Sequence, residues 1–84
     1  MDRRTRIFDI LDTALQPRVL EVTDESHLHE GHAGARPSGE THYAVVIAAP
    51  IFAGVSRLAC HRRVNDLLAA EFVDGLHALS IKIV

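Results

Sequence analysis

Histidine is the residue with the clearest chemical potential in this sequence. Six histidines occur among 84 residues, and four of them fall within sixteen positions, namely His27, His29, His32 and His42. An imidazole nitrogen is a good ligand for zinc, copper, nickel or iron, and the spacing H-x-H-x-x-H places several such nitrogens on one short segment. A solvated polar segment explains the same residues equally well. Metal binding and simple solvation therefore stand as equal alternatives at this point.

The other candidate side chains carry weaker signals when each is taken alone. Structural zinc normally has four protein ligands, and Cys60 is the only cysteine, so a complete zinc site from this chain alone is not expected. We interpret Cys60 as an ordinary small hydrophobic residue. We interpret His61 as a hydrogen-bonded histidine of the core. His77 stands at the start of a predicted strand, where the alternative to a ligand is a hydrogen-bonded histidine at the sheet edge.

A basic stripe runs along one predicted helix and consists of Arg57, Arg62 and Arg63. Such a stripe is usually a solvated helix face, although a helix that follows a turn could also approach phosphates. Nine basic residues oppose eleven acidic ones, which disfavours a strongly basic nucleic-acid binder. No nucleophile with a nearby base, phosphate-binding loop or dinucleotide fingerprint is recognisable, so we do not expect an enzyme.

The composition indicates one small globular domain that spans residues 1–84. Hydrophobic residues make up 48% of the chain and charged residues 24%, with a formal net charge of −2, which excludes a disordered chain. No apolar run is long enough to cross a membrane, and the acidic residues near the N-terminus disfavour a transit peptide. The single cysteine fits a reducing compartment. We therefore expect a cytoplasmic protein without a membrane partner.

The first half of the chain contains one predicted helix and two predicted strands. Apolar residues recur at helical spacing over about residues 3–15, with Asp2 as the N-cap and Pro17 as the stop. Residues 19–23 and 43–48 are rich in β-branched and apolar side chains and predict strands. The connection between them, from about His27 to Gly39, is unusually long and is expected to be the least ordered internal segment.

The second half contains a predicted helix and a last strand. The helix begins at Ser56 or Gly54 and runs to about Phe72, ending at Asp74-Gly75. Its predicted buried side consists of Leu58, His61, Val64, Leu68 and Phe72. The strand begins near His77 and turns Leu79, Ile81 and Ile83 into the core. The order helix, strand, strand, helix, strand predicts an α+β fold in which helices cover one face of a three-stranded sheet.

These residues resemble the BolA family over nearly the whole chain. Five blocks in the family's order and spacing carry the resemblance: Leu20-Glu21-Val22-x-Asp24-Glu25-Ser26, Gly39-Glu40-Thr41-His42-Tyr43, Phe52-x-Gly54-x-Ser56, His61-Arg62-x-Val64-Asn65-x-x-Leu68 and Gly75-x-His77-Ala78-Leu79-Ser80-Ile81. The resemblance implies a class II KH-like fold, which agrees with the αββαβ order read from the residues.

The resemblance also implies a function in iron–sulfur cluster handling or iron sensing. Members of this family pair with monothiol (CGFS-type) glutaredoxins, and the complex can hold a bridging [2Fe–2S] cluster. The family's ligand positions fall here on His77 and on a histidine of the long connection, with His32 preferred and His29 as the competing choice. A glutaredoxin cysteine and glutathione would complete the set. Alone, the chain is expected to hold no cluster and to be a monomer.

Some members of the family are described as transcriptional regulators, so DNA binding through Arg57, Arg62 and Arg63 is the alternative function. Two departures from the family pattern weaken it. Cys60 stands where many relatives carry arginine, and the sequence stops at Val84 where relatives usually continue. Both departures remove positive charge or surface that a DNA-binding role could use.

Overall fold

The computed structural model describes residues 2–26 and 40–84, and the following description concerns those two ranges. Three helices, one 3₁₀ turn and three strands follow one another as α1 (Arg3–Leu15), β1 (Val19–Asp24), β2 (His42–Ala48), the 3₁₀ turn (Pro50–Phe52), α2 (Arg57–Leu67), α3 (Ala69–Val73) and β3 (Ala78–Ile83). The sheet order is β1-β2-β3, with β1 antiparallel and β3 parallel to β2. The predicted α+β fold is confirmed. The expected disorder of the long connection lies outside the described residues.

Helix α1 has the boundaries that the sequence predicts. Asp2 Oδ1 accepts a hydrogen bond from the Thr5 N–H at 2.8 Å, so Asp2 is the N-cap. Gln16 ends the helix in the left-handed conformation at φ 46°, directly before Pro17. Within the described residues, neither α1 nor any other helix has the length and hydrophobicity needed to cross a bilayer.

The core lies between the helices and one face of the sheet. Ile7 and Leu11 of α1 are fully buried against a cluster that includes Val22, Val45 and Ile47 of the sheet. The register places Val22 opposite Val45, so their side chains meet on the same face. The opposite face of the sheet is more open, with exposed residues on both edge strands. Helices therefore cover one face, as the sequence predicts.

The predicted helix that runs to Phe72 is two helices in the structure. Ser56 caps α2, because its Oγ accepts from the Ala59 N–H at 3.1 Å, and this start was predicted. Leu68 interrupts the helix with φ −100° and ψ 13°, and its N–H is shared between the carbonyls of Val64 and Asn65. Such shared bonds are typical of a helix end. Leu68 is therefore both the C-cap of α2 and the N-cap of α3.

The side of α2 and α3 that is buried differs from the side predicted from the sequence. Leu58 is 60% exposed, Phe72 is 36% exposed and His61 is only partly buried, so none of them belongs to the core. The interpretation of His61 as a core histidine is therefore wrong. The residues that face inward are Cys60, Val64, Leu68 and Glu71. Glu71, which lies on α3 beyond the interruption at Leu68, directs its carboxylate towards Arg3 of α1.

A cluster of five charged residues, named here the Arg3 clamp, joins distant parts of the chain. Its members are Arg3, Arg6, Glu40, Glu71 and Asp74. The Arg3 guanidinium donates to Glu71 Oε1 at 2.8 Å, to Asp74 Oδ2 at 3.3 Å and to the Glu40 carbonyl at 2.7 Å. Both Arg3 and Glu71 are buried. The clamp thus fixes the start of α1 against α3 and against the residues that lead into β2.

Candidate metal-binding site at one end of the sheet

His77 lies at the end of the sheet where β3 begins, with an exposed side chain on a fixed backbone. Its N–H donates to the Thr41 carbonyl at 2.8 Å, and the N–H of Ala78 donates to the same carbonyl at 3.1 Å. The strand itself begins one residue later than predicted. Its inward residues Leu79, Ile81 and Ile83 pack against the core as predicted, and they are only partly buried because β3 is an edge strand. His77 is nevertheless both accessible and positioned by the sheet.

A second histidine, His42, lies beside His77 and was not assigned to a site from the sequence. The centroids of the two rings are 5.3 Å apart, with a 50° angle between the planes. His42 is the first residue of β2 and is 6% exposed, and the parallel register places it next to Ala78. Thr41 Oγ1 lies 2.8 Å from His42 Nδ1 and fixes the orientation of the ring. The signal that identifies this pair is the parallel pairing of β2 with β3.

Ser26 holds together the two points at which segment 27–39 leaves and rejoins the described chain. Its Oγ accepts from the N–H of Thr41 at 2.9 Å and from the N–H of His42 at 3.1 Å. The N–H of Glu25 donates to the His42 carbonyl at 2.8 Å. Because Thr41 also binds the backbone of His77, both ends of the segment are fixed at the same end of the sheet as His77.

The predicted loop ligands His32 and His29 lie outside the described residues, as does His27. The assignment of His32 or His29 as a ligand remains a prediction.

The described residues cannot hold a metal ion by themselves. Among residues 2–26 and 40–84, no group of three or more histidine, cysteine, aspartate or glutamate side chains is arranged to bind one. Cys60 is a buried free cysteine at 1% exposure, as expected of a small hydrophobic residue. Ligands from outside this part of the chain are therefore required to complete any metal site at His77.

The three arginines of the basic stripe lie on the solvent side of α2. Arg57, Arg62 and Arg63 are all exposed, and none has an ion-pair partner within the described residues. The prediction that they form a solvated helix face is consistent with this exposure. Within residues 2–26 and 40–84, no hydrogen bond or ion pair joins them to His77 or to the Thr41 carbonyl that positions it.

Replacing Ser26 with alanine is expected to destabilise this end of the sheet. Ser26 is 5% exposed, so Ser26→Ala leaves the backbone N–H groups of Thr41 and His42 buried without their acceptor. The free energy of unfolding, measured with urea, should fall by about 2 kcal/mol. Ser80→Ala is the matched control, because Ser80 is exposed on β3, and it should change little. Equal losses for both variants would contradict this role of Ser26.

Comparison with known proteins gives one consistent family. The family model described as BolA-like protein matches residues 11–84. An uncharacterised Sinorhizobium protein from the region 5′ of cobS is 50% identical over 70 residues, which cover 82% of this chain and 75% of that protein. SufE-like protein 1 of Arabidopsis thaliana, chloroplastic or mitochondrial, is 46% identical over 83 residues, which cover 94% of this chain.

Solved structures agree with the sequence comparison. The BolA domain of SufE1 from Arabidopsis thaliana superimposes with a TM-score of 0.88 at 42% identity, over 99% of this chain and 91% of that domain. Several relatives are much longer than this sequence. The matched region is 22% of SufE-like protein 1 and 50% of human BolA-like protein 1.

Proposed function

The chain belongs to the BolA family, and on that premise we propose that it is a non-enzymatic partner of a monothiol glutaredoxin that supplies two ligands to a bridging [2Fe–2S] cluster. Family membership and the SufE-like relative fit a role related to iron–sulfur chemistry. Proteins of this family are regulatory or partner proteins rather than enzymes. The proposed role is iron–sulfur cluster handling or iron sensing.

The observation that carries the proposal is the position of His77 relative to the histidine-rich segment. His77 is exposed, its backbone is fixed by Thr41, and both ends of segment 27–39 are bound at the same end of the sheet. A ligand on a fixed backbone loses little conformational entropy when it binds a metal. Because both ends of segment 27–39 are bound at this end of the sheet, a histidine of that segment is the proposed second ligand.

The donor set of this chain fits such a cluster only in a mixed complex. Imidazole ligands on one iron of a [2Fe–2S] cluster are known chemistry and raise its reduction potential. His77 and His32, or His29 in its place, would provide these nitrogens, while the glutaredoxin cysteine and glutathione would provide two thiolates. Because Cys60 is buried, this chain offers no thiolate among its described residues. The cluster would therefore need ligands from both this chain and the glutaredoxin with its glutathione.

The direct experiment is a titration of this chain into a monothiol glutaredoxin that carries a [2Fe–2S] cluster and glutathione. We expect the visible absorption and circular dichroism spectra to change to a histidine-ligated form, with an end point at one chain per cluster. The apo glutaredoxin is the control for protein contacts without the cluster. The absence of both binding and spectral change would refute the proposal.

Replacing Arg62 and Arg63 with alanine is expected to leave glutaredoxin binding unchanged. Both side chains are exposed on α2, and within the described residues no hydrogen bond or ion pair joins them to the backbone that holds His77. The same double variant tests the alternative of a DNA-binding regulator, because phosphate contacts make DNA affinity fall steeply with salt. Sub-micromolar, sequence-selective DNA binding at physiological salt that the double substitution abolishes would favour that alternative.

A further inference from the structure

The two edges of the sheet differ in how their backbone groups are used. The Glu25 N–H donates to the His42 carbonyl of β2. Because backbone groups alternate in direction along an antiparallel strand, the odd-numbered residues of β1 bond to β2 and the N–H and C=O groups of the even-numbered residues point away from it. One of these outward groups, the Val22 carbonyl, accepts a hydrogen bond from Arg4 Nε at 2.8 Å. A side chain from α1 thus occupies part of the β1 edge, which is a common way to prevent strand addition.

The β3 edge carries no such protection. The N–H groups of Ala78 and Val84 donate to β2 carbonyls, so the even-numbered residues of β3 face β2. The outward N–H and C=O groups therefore belong to Leu79, Ile81 and Ile83. Within residues 2–26 and 40–84 these outward groups have no hydrogen-bond partner. Their regular spacing along the strand matches the backbone of another extended strand.

The edge of β3 is complementary to itself. When two copies pair antiparallel about a two-fold axis at Ile81, Ile81 lies opposite Ile81, and Leu79 lies opposite Ile83 of the second copy. Each of these pairs joins residues whose backbone groups both point outward, which is the hydrogen-bonded pair of an antiparallel ladder. On the other face Ser80 lies opposite Lys82, so no like charges meet.

We propose that β3 is a dimerisation edge, at which two copies of this chain form a continuous six-stranded sheet. In this dimer, the half-buried side chains of Leu79, Ile81 and Ile83 of one copy pack against the same side chains of the second copy. The contact is isologous, so it closes at two copies. Because one strand pair buries a small area, the dimer is weak and forms only at high concentration. The sequence-based expectation of a monomer then holds for dilute solution.

The first test measures this 84-residue chain without any partner. Sedimentation at increasing protein concentration should show a shift from monomer to dimer. Amide hydrogen exchange should show protection of Leu79, Ile81 and Ile83 that increases with concentration, whereas Ser80 and Lys82 should be protected throughout. A monomer at millimolar concentration, or a dimer in which the three outward amides stay unprotected, would overturn the proposal.

Variants of the edge provide the second test. Ile83→Pro removes an outward N–H without removing a bond to β2, and proline is tolerated on edge strands in this position. It should weaken dimerisation at least tenfold, as should Ile81→Lys, which places two charges together at the axis. Lys82→Glu is the control and should dimerise like the parent chain. Unchanged dimerisation of a folded Ile83→Pro variant would refute the edge assignment. Should both edge variants unfold, the amide exchange of the parent chain decides.

Discussion

Replacement of His77 with alanine should abolish the spectrum of a histidine-ligated cluster in the mixed complex with a monothiol glutaredoxin. His77 is the proposed ligand on the fixed backbone, because its N–H is bound to the Thr41 carbonyl directly before β3. The neighbouring His42 is also fixed by the sheet, but it is only 6% exposed and its Nδ1 contacts Thr41 Oγ1, so we do not expect it to replace His77 as a ligand. We expect the apparent affinity for cluster-loaded glutaredoxin to fall at least about tenfold, by comparison with the losses caused by changing groups around metal ligands.

The corresponding change in the long connection should have a smaller effect. His32→Ala removes the preferred loop ligand, but His29 or His27 lies on the same tethered segment and could take its place. The cluster spectrum should therefore weaken or shift rather than disappear. The comparison of His32→Ala with His77→Ala separates the effect of the proposed ligand at the start of β3 from that of the proposed ligand in segment 27–39.

His61→Ala is the matched control for this experiment. His61 is a partly exposed histidine on α2, in a different element from the proposed site. Its replacement should leave the cluster spectrum unchanged. Because the His77 side chain is exposed, His77→Ala should also retain the circular dichroism spectrum of the folded chain. A mixed cluster that forms unchanged without His77 would show that the ligand assignment is wrong and that the partnership depends on protein contacts alone.

Replacement of Arg3 with methionine should produce a large loss of stability. The Arg3 side chain is 5% exposed and makes an ion pair with Glu71 at 2.8 Å, where Glu71 is 8% exposed. Removing one member of a buried pair leaves the other charge without full compensation, which typically lowers the free energy of unfolding by about 3 kcal/mol or more. Urea unfolding followed by circular dichroism measures this loss. A loss of that size is a large fraction of the stability of a small domain.

Arg6→Met is the control within the same clamp. Arg6 also binds Glu71, but its side chain is 34% exposed, so water can replace part of what is lost. Its loss of stability should be clearly smaller than that of Arg3→Met. A double-mutant cycle with Glu71→Gln measures the coupling between Arg3 and Glu71. If Arg3→Met is as stable as the parent chain, the clamp does not stabilise the fold.

The elements that depend on local pattern could be predicted from the sequence. Helix α1 was predicted with its observed ends, because its apolar spacing, its Asp2 cap and the Pro17 stop are all local signals. Strands β1 and β2 were each predicted to within one residue. Short runs of alternating or β-branched apolar side chains are enough to predict strands in a sheet that is covered by helices on one face.

Features that depend on distant contacts could not be predicted in this way. Glutamate is a residue type that usually lies on the surface, and the inward position of Glu71 depends on its pairing with Arg3 and Arg6, 68 and 65 positions away. The break at Leu68 involves neither glycine nor proline. His42 was missed because its contact with His77 depends on the parallel pairing of β2 and β3, which the order of elements alone does not state.

The Arg3 clamp has a consequence for the order in which a newly synthesised chain can fold. Arg3 meets Glu40 across 37 positions and Glu71 across 68, and Asp74 comes later still. Helix α1 and the β1–β2 pair can form from contacts made early in synthesis, whereas the clamp must wait until Asp74 has been added. Contacts between distant positions slow folding. His77 follows Asp74 in the chain, so the His42–His77 contact also forms only in this late step.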